Sequence, residues 1–244
     1  MISKSKIKLI KSLKYKKTRE ELNLFLVEGL KGIMEVNKSK YDIKFTVISK
    51  KTFNEQKNNL PKENVFILNE NEIKELSSLN NNIVGFSVVK SSINNFSISQ
   101  LGEITIALDS ISDPGNLGAI IRNADWFGVK NILCSNNTVD FYNPKTIQSS
   151  MGSFTRVNVV YKDLESFFKN NNLKIFGTSS DQNKNYKKIN NLKGIILLGS
   201  ESHGISKNLI KYVNEWISIK KVGNAESLNV SVASGILLND IINS

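Results

Sequence analysis

The chain has one cysteine, Cys134, and one histidine, His203, in 244 residues. A single thiol excludes an internal disulfide. One Cys and one His fall short of the ligand count of an ordinary zinc site, so no metal is expected. Cys134 lies in the apolar run "VKNILCS" and reads as a buried strand residue rather than a nucleophile. No apolar run reaches the roughly 20 residues that span a bilayer. The basic N-terminus is not followed by the apolar stretch of a signal peptide. A cytoplasmic protein with no membrane partner is therefore expected. The fingerprint G-x-G-x-x-G is missing, since Gly115 and Gly118 are spaced G-x-x-G, and no G-x-x-x-x-G-K-[ST] phosphate loop occurs. A nucleotide-dependent oxidoreductase is disfavoured on that ground. Acids are scarce too: 22 Asp and Glu against 33 Lys and Arg, a net charge of +11. Such an excess favours polyanions, with nucleic acid ahead of an anionic membrane surface.

What is present is an ordinary globular balance, 40% apolar and 23% charged, long enough for one large or two modest domains. Residues 1–19 carry eight basic residues and no acid, with Ile7, Ile10 and Leu13 at three-residue spacing. That pattern predicts a helix with one apolar stripe and a basic remainder. Four short β-type runs follow ("LFLVEG", "KFTVIS", "NVFILN", "IVGFSVV"), alternating with helix-like stretches, enough for a small α/β domain over residues 1–90. Residues 91–101 are weakly periodic and, up to Leu101, rich in Ser and Asn; they read as a linker. A second alternation fills 102–244. Its strand candidates are "ITIALDS", "NILCS", "RVNVVY", "LKIFGTS", "GIILLGS" and "EWISIK", and its helix candidates are 116–127, 144–152, 163–171, 206–213 and 226–242. Strands alternating with helices imply a mostly parallel sheet covered on both faces. Ligands bind such sheets beyond the carboxyl ends of the strands.

Polar clusters sit where that rule puts them. "DSISDPGN" follows the first strand and leads into a helix, with Asn116 a possible N-cap and Arg122 six residues on. An Arg within "AIIRNADWF" is costly to bury unless it meets an anion; pairing with a core carboxylate or a helix C-terminus would explain it equally well. "GSESHG" follows the fifth strand, where glycines permit a tight turn and close approach to a ligand. Glu201 there could bind hydroxyls or a cation. His203 reads as an ordinary loop residue. The last helix candidate opens with Glu226, Ser227 and Asn229, polar groups that can cap a helix or hold a ligand. Ser227, Ser231 and Ser234, with Gly235 beside them, give a small-residue face suited to close helix packing or to a flat ligand.

Taken together and in this order, the clusters resemble the three motifs of the TrmH (SpoU) branch of the SPOUT superfamily of RNA methyltransferases. The matching residues are Asn116, Arg122 and Phe127-Gly128, then Gly199, Glu201 and Gly204, then Ser227 to Ser231. The opening "SLKYKKTREELNLFLVEG" is similar to that of the small substrate-binding domain of ribosomal-RNA members. The likeness implies a C-terminal SPOUT α/β domain with a trefoil knot, a homodimer, and methyl transfer from S-adenosylmethionine to a ribose 2′-hydroxyl of RNA. The knot follows from the likeness alone, since chain-topology rules argue against knots. The resemblance places the cofactor against Gly199, Ile219, Ser227 and Leu228, with Thr178 on the same pocket. It assigns catalysis to Arg122, supported by Asn116, Glu201, Ser227 and Asn229. Where the branch often has Pro after the position of Ile219, this chain has Lys220, so the backbone there is less restrained. Because an ordinary guanidinium is too weak an acid to serve as a base, Arg122 is expected to clamp a phosphate and stabilise a developing alkoxide. Ribosomal RNA is the expected substrate. Transfer RNA, or a non-catalytic RNA-binding role on the same fold, are the alternatives.

Overall fold

The computed structural model describes residues 2–79, 82–91, 101–181 and 192–243. Residues 92–100, nearly all of the expected linker, lie outside them. The chain forms two compact units: Met1–Ile93 with Asp140–Thr155, and Asn94–Val139 with Arg156–Ser244.

The first unit is built on a four-stranded sheet in the order β1-β4-β2-β3, from β1 (Leu24–Glu28), β2 (Ile43–Ser49), β3 (Val65–Leu68) and β4 (Gly85–Lys90). β4 runs antiparallel to both β1 and β2, while β2 and β3 are parallel. All four strands match the apolar runs that announced them. The helix expected over residues 1–19 is two helices, α1 (Lys4–Ser12) and α2 (Lys16–Leu22). α1 buries Ile10, and Leu13 just after it is also fully covered. Arg19 is not part of a basic face, as the sequence suggested. It is 5% exposed, and its Nη2 and Nε donate to Asp140 Oδ2 at 2.6 and 3.1 Å. Its Nη1 donates to the carbonyls of Leu13 and Lys14 at 2.9 and 2.8 Å. The guanidinium thus closes the turn between the two helices, which accounts for the break. Helices α3 (Leu30–Asn37), α4 (Lys50–Gln56) and α5 (Glu70–Leu76) complete the alternation. α7 (Pro144–Ser149) comes from later in the chain but belongs to this unit. Tyr142 and Phe154, flanking it, pack on Phe25 of β1 with ring centroids 4.5 and 6.1 Å away.

The second unit holds a six-stranded, wholly parallel sheet in the order β10-β8-β9-β5-β6-β7. Its strands are β5 (Ile104–Leu108), β6 (Asn131–Ser135), β7 (Asn158–Lys162), β8 (Ile175–Thr178), β9 (Gly194–Leu198) and β10 (Glu215–Ile217). β5, β6 and β9 are near-continuous apolar runs because the sheet is covered on both faces. The core gathers Ala107, Leu133, Ile195 and Leu197 from the strands with Leu164, Phe168 and Leu209 from the helices. The helices are α6 (Pro114–Trp126), α8 (Leu164–Lys169), α9 (Lys207–Ile210) and α10 (Val230–Ile242). From β5 the chain steps outward through β6 to β7, then restarts on the other side with β8 and β9. That reversal beside β5 opens a crevice at the strands' carboxyl ends.

Candidate active site

A cavity of about 650 Å³ occupies that crevice, lined by residues 178–181, 198–205, 216, 218–223 and 225–228 and by one side of α10. Its size suits a small organic ligand. Three strand ends contribute: β8 through Thr178, β9 through the loop after Leu198, and β10 through Ser218 to Gly223. Thr178 is fixed by its Oγ1, which donates to the Leu197 carbonyl at 3.0 Å.

The loop after β9 has its shape because of its glycines. Ser200 and Gly204 exchange backbone hydrogen bonds of 3.0 and 2.9 Å, which folds residues 200–204 into a tight turn. A Cβ on Gly199 would stand 2.1 Å from the Gly204 carbonyl carbon, so no other residue fits. Gly204 sits at φ +66, a left-handed conformation that suits glycine. Beneath the turn, Asp109 is 4% exposed. Its Oδ2 accepts from the Ser206 amide at 2.8 Å and its own amide donates to the Leu198 carbonyl at 2.9 Å. A carboxylate buried at the end of β5 thus anchors the loop after β9.

The three motifs meet through side chains. Asn116 Nδ2 donates to Glu201 Oε1 at 2.5 Å, and Asn116 Oδ1 accepts from Asn229 Nδ2 at 2.9 Å. This connects the first, second and third clusters across 113 residues of sequence. Asn116 is not the N-cap of α6, as the sequence suggested. Asp113 is, accepting the Asn116 amide at 2.9 Å. That leaves the Asn116 side chain, one turn into the helix, free to bridge. The last helix also starts later than expected, at Val230 rather than 226. Asn229 caps it by accepting the amides of Ser231 and Val232 at 2.9 and 3.3 Å. Glu226, Ser227 and Leu228 therefore form an exposed loop on the cavity wall rather than a helical first turn.

The small-residue face of α10 is a packing surface. Ser234 is 1% exposed. Asn123 of α6 donates to the Ser231 carbonyl at 2.7 Å and to Ser234 Oγ at 2.8 Å. A Cβ on Gly235 would come within 3.3 Å of the same amide. Asn123 carried no recognisable signal in the sequence, because it acts on partners about 110 residues away. For Asp109 the only hint was an acid directly after an apolar strand.

Of the residues singled out, Thr178, Gly199, Glu201, Ile219, Ser227 and Leu228 line one cavity, and Asn116 and Asn229 brace its edge. Arg122 is exposed and is not on the cavity wall of its own chain. His203 lines the cavity with its Nδ1 2.7 Å from Ser202 Oγ. Cys134 is fully buried, and burial pushes its thiol far above the ordinary range, consistent with a core residue. Among the described residues no cluster of three or more His, Cys, Asp or Glu could hold a metal, and no helix is long and apolar enough to cross a membrane.

The chain matches the SpoU rRNA Methylase family over residues 103–239 and an MRM3-like substrate binding domain over residues 4–82. It is 28% identical over 242 residues to the 23S rRNA (guanosine(2553)-2′-O)-methyltransferase of Bacillus subtilis, covering 96% of this chain and 94% of that one. It is 34% identical to the mitochondrial rRNA methyltransferase 1 of Dictyostelium discoideum over 57% of this chain, but spans only 28% of that longer protein. Among solved structures, an AdoMet-bound rRNA methyltransferase from Sinorhizobium meliloti superposes with a TM-score of 0.84 at 25% identity, covering 100% of this chain and 97% of the other. A TrmH-family protein from Porphyromonas gingivalis gives 0.82 at 27% identity, over 99% and 98%.

Proposed function

Because the chain belongs to the SpoU rRNA Methylase family, we propose that it transfers methyl from S-adenosylmethionine to a ribose 2′-hydroxyl of ribosomal RNA. The single observation that carries this reading is the hydrogen-bonded array Glu201–Asn116–Asn229 at the edge of a cavity built from three strand ends. A relative that had lost catalysis would have no need to keep three distant polar side chains in register.

The cavity fits the cofactor. Ile205, Ile219, Leu228 and Leu237 offer apolar flanks for a purine, while Glu201, Glu226 and Lys220 offer both signs of charge to a zwitterionic tail. Bound there, S-adenosylmethionine would supply an electrophilic methyl on a sulfonium that departs as a neutral thioether, so the chemistry needs alignment and release of one hydroxyl proton to water. Gly199, Ile219, Ser227 and Leu228 hold the cofactor, with Thr178 at the β8 end. Asn116, Glu201, Ser227 and Asn229 fix the loops and orient the ribose. Arg122 clamps an RNA phosphate and stabilises the developing alkoxide, a charge-assisted role that does not ask the guanidinium to lose a proton.

The exposed position of Arg122 fits a homodimer, in which a second copy of the chain presents this side chain to the cavity. Half-exposed Leu228, in the loop before α10, and Val232 in its first turn offer apolar surface for such an interface. The reading extends to a C-terminal trefoil knot and to action in the cytoplasm. It also takes residues 1–90 as an RNA-binding domain joined through 91–101 to a catalytic domain over 102–244. Exposed Lys4, Lys8, Lys11 and Lys14 on and just after α1 supply the basic face for RNA backbone contacts.

The test is transfer of tritiated methyl to an unmodified large-subunit ribosomal RNA transcript, with transfer RNA alongside. Label in 2′-O-methylnucleosides of the ribosomal RNA is expected. Label confined to transfer RNA would replace the substrate, and none in either would leave an RNA-binding protein. Arg122→Ala is expected to abolish transfer while cofactor binding, measured by calorimetry, survives. Near-normal transfer by this variant would remove Arg122 from the mechanism.

A further inference from the structure

The hydrogen bond between Asn116 and Glu201 is solvent-exposed. Water competes for such a bond, so it holds two loops together only weakly. Their spacing has to be set from beneath. β5 lies between β9 and β6 in the sheet, so the loops after β5 and β9 leave the sheet side by side. Asp109 stands at that point, 4% exposed, and its two oxygens divide between the two loops. Oδ2 accepts from the Ser206 amide at 2.8 Å, at the end of the loop that carries Glu201. Oδ1 accepts from Ser110 Oγ at 3.0 Å, at the start of the loop that leads to Asn116. Ser110 sits at φ +59, a left-handed conformation that a residue other than glycine keeps only where its surroundings over-determine it. Those surroundings are present. The Ser110 amide donates to Ser135 Oγ at 2.8 Å, and Ser135 shares a hydrogen bond of 3.1 Å with Thr138. Ile111 is fully buried, and its carbonyl accepts from the Val139 amide at 2.8 Å. Two residues further on, Asp113 caps α6 and so fixes Asn116.

We propose that Asp109 is a positioning residue for methyl transfer, setting the separation of the two loops whose tips meet at Glu201 and Asn116. The proposal rests on the reading of the cavity as the S-adenosylmethionine site. One side chain serves two donors that belong to loops 97 residues apart. Removing it leaves the Ser206 amide and the Ser110 hydroxyl without their shared acceptor, and both loops lose their common reference point. An asparagine can take over both bonds. Its Oδ1 accepts from the Ser206 amide and its Nδ2 donates to Ser110 Oγ, because a hydroxyl accepts as readily as it donates. The role therefore lies in hydrogen-bond geometry rather than in charge. Asp109 acts on the cofactor and the ribose through the loops and is not on the cavity wall.

The test compares Asp109→Ala and Asp109→Asn with the unaltered full-length protein, below the melting temperature of each, on an unmodified large-subunit ribosomal RNA transcript. The Ala variant should lower kcat about 100-fold through misplacement of the loops. It should weaken S-adenosylmethionine binding about tenfold in calorimetry, the equivalent of one lost hydrogen bond, with KM for RNA little changed. The Asn variant should recover most of both losses. Hydrogen exchange read by mass spectrometry should quicken in the Ala variant over residues 199–206 and 110–116, stay unchanged over α8, and slow again in the Asn variant. Unaltered cofactor affinity and exchange in the Ala variant overturn the proposal. So does exchange that quickens equally across the whole second unit, which would make Asp109 an ordinary stabilising residue. An Asn variant as impaired as the Ala variant overturns it too, because charge rather than placement would then be at work. If the unaltered protein binds no S-adenosylmethionine, the functional reading falls by itself, and the exchange comparison still decides whether Asp109 places the two loops.

Discussion

The two units use polar residues in opposite ways. In the first, away from the lysines of α1, the polar groups tied together by hydrogen bonds are buried and turned inward. Arg19 is enclosed with Asp140. Glu28, 6% exposed, accepts from Ser77, from the Ser78 amide at 2.9 Å and from Asn82 at 3.0 Å. Thr46 and Ser87 share a hydrogen bond of 2.8 Å across β2 and β4. In the second unit the motif residues Glu201, Ser227 and Asn229 stand in exposed loops. Its buried polar groups Asp109 and Ser234 lie directly behind those loops. Buried polar pairs specify a fold, whereas exposed polar residues held in a fixed array are available to a ligand. The same residue types therefore signify different things in the two halves.

Substitutions can break or sharpen this contrast. The largest effect is expected from Gly199→Ala. Its Cβ cannot coexist with the Gly204 backbone, so S-adenosylmethionine binding should fall below detection in calorimetry while the melting temperature changes little. A large loss of overall stability instead would make the loop a structural element like those of the first unit. Arg19→Ala should do the reverse. It leaves Asp140 without its partner and should cost about 3 kcal/mol in denaturant unfolding, with the cofactor affinity retained. Asn116→Ala comes next. It should lower kcat by up to about 100-fold through misplacement of Glu201 and Asn229, with little change in unfolding midpoint. A stability loss as large as that of Arg19→Ala would erase the distinction between the units.

The smallest effect is expected at the exposed pair Glu165–Lys211, 2.6 Å apart. The hydrogen bond from Lys211, then that from Asn208, holds the Glu165 carboxyl below the usual carboxylate range, and Lys211 is held above the usual lysine range by Glu165. The Glu165 contribution is present above the ordinary carboxylate pKa and lost as pH falls through the lowered one. The Lys211 contribution is lost only as pH rises through its raised value. Water screens both, so Lys211→Met should leave the melting temperature at neutral pH essentially unchanged.

Much of this was legible in the sequence. Strand runs such as "ITIALDS" and "GIILLGS" announced themselves because a two-faced parallel sheet demands continuous apolar residues. Motif residues were visible because loops at strand ends tolerate Gly, Ser and Glu where strands do not. Helix starts were less legible. Asn116 and Asp113 are both good caps, as are Asn229 and Ser227, and only the fold decides which one accepts the free amides. Arg19 could not be distinguished from its lysine neighbours, because its partner Asp140 lies 121 residues away. The same distance hid the membership of Asp140–Thr155 in the first unit.

That membership bears on the order in which the protein can be made. Phe25 finds Tyr142 and Phe154 only after some 155 residues have been synthesised, so the amino-terminal unit waits, incomplete, while β5, α6 and β6 emerge from the ribosome. A cut at residue 90 would release neither half whole: one fragment would lack the lid of its core, and the other would carry an aromatic segment with nothing to cover it.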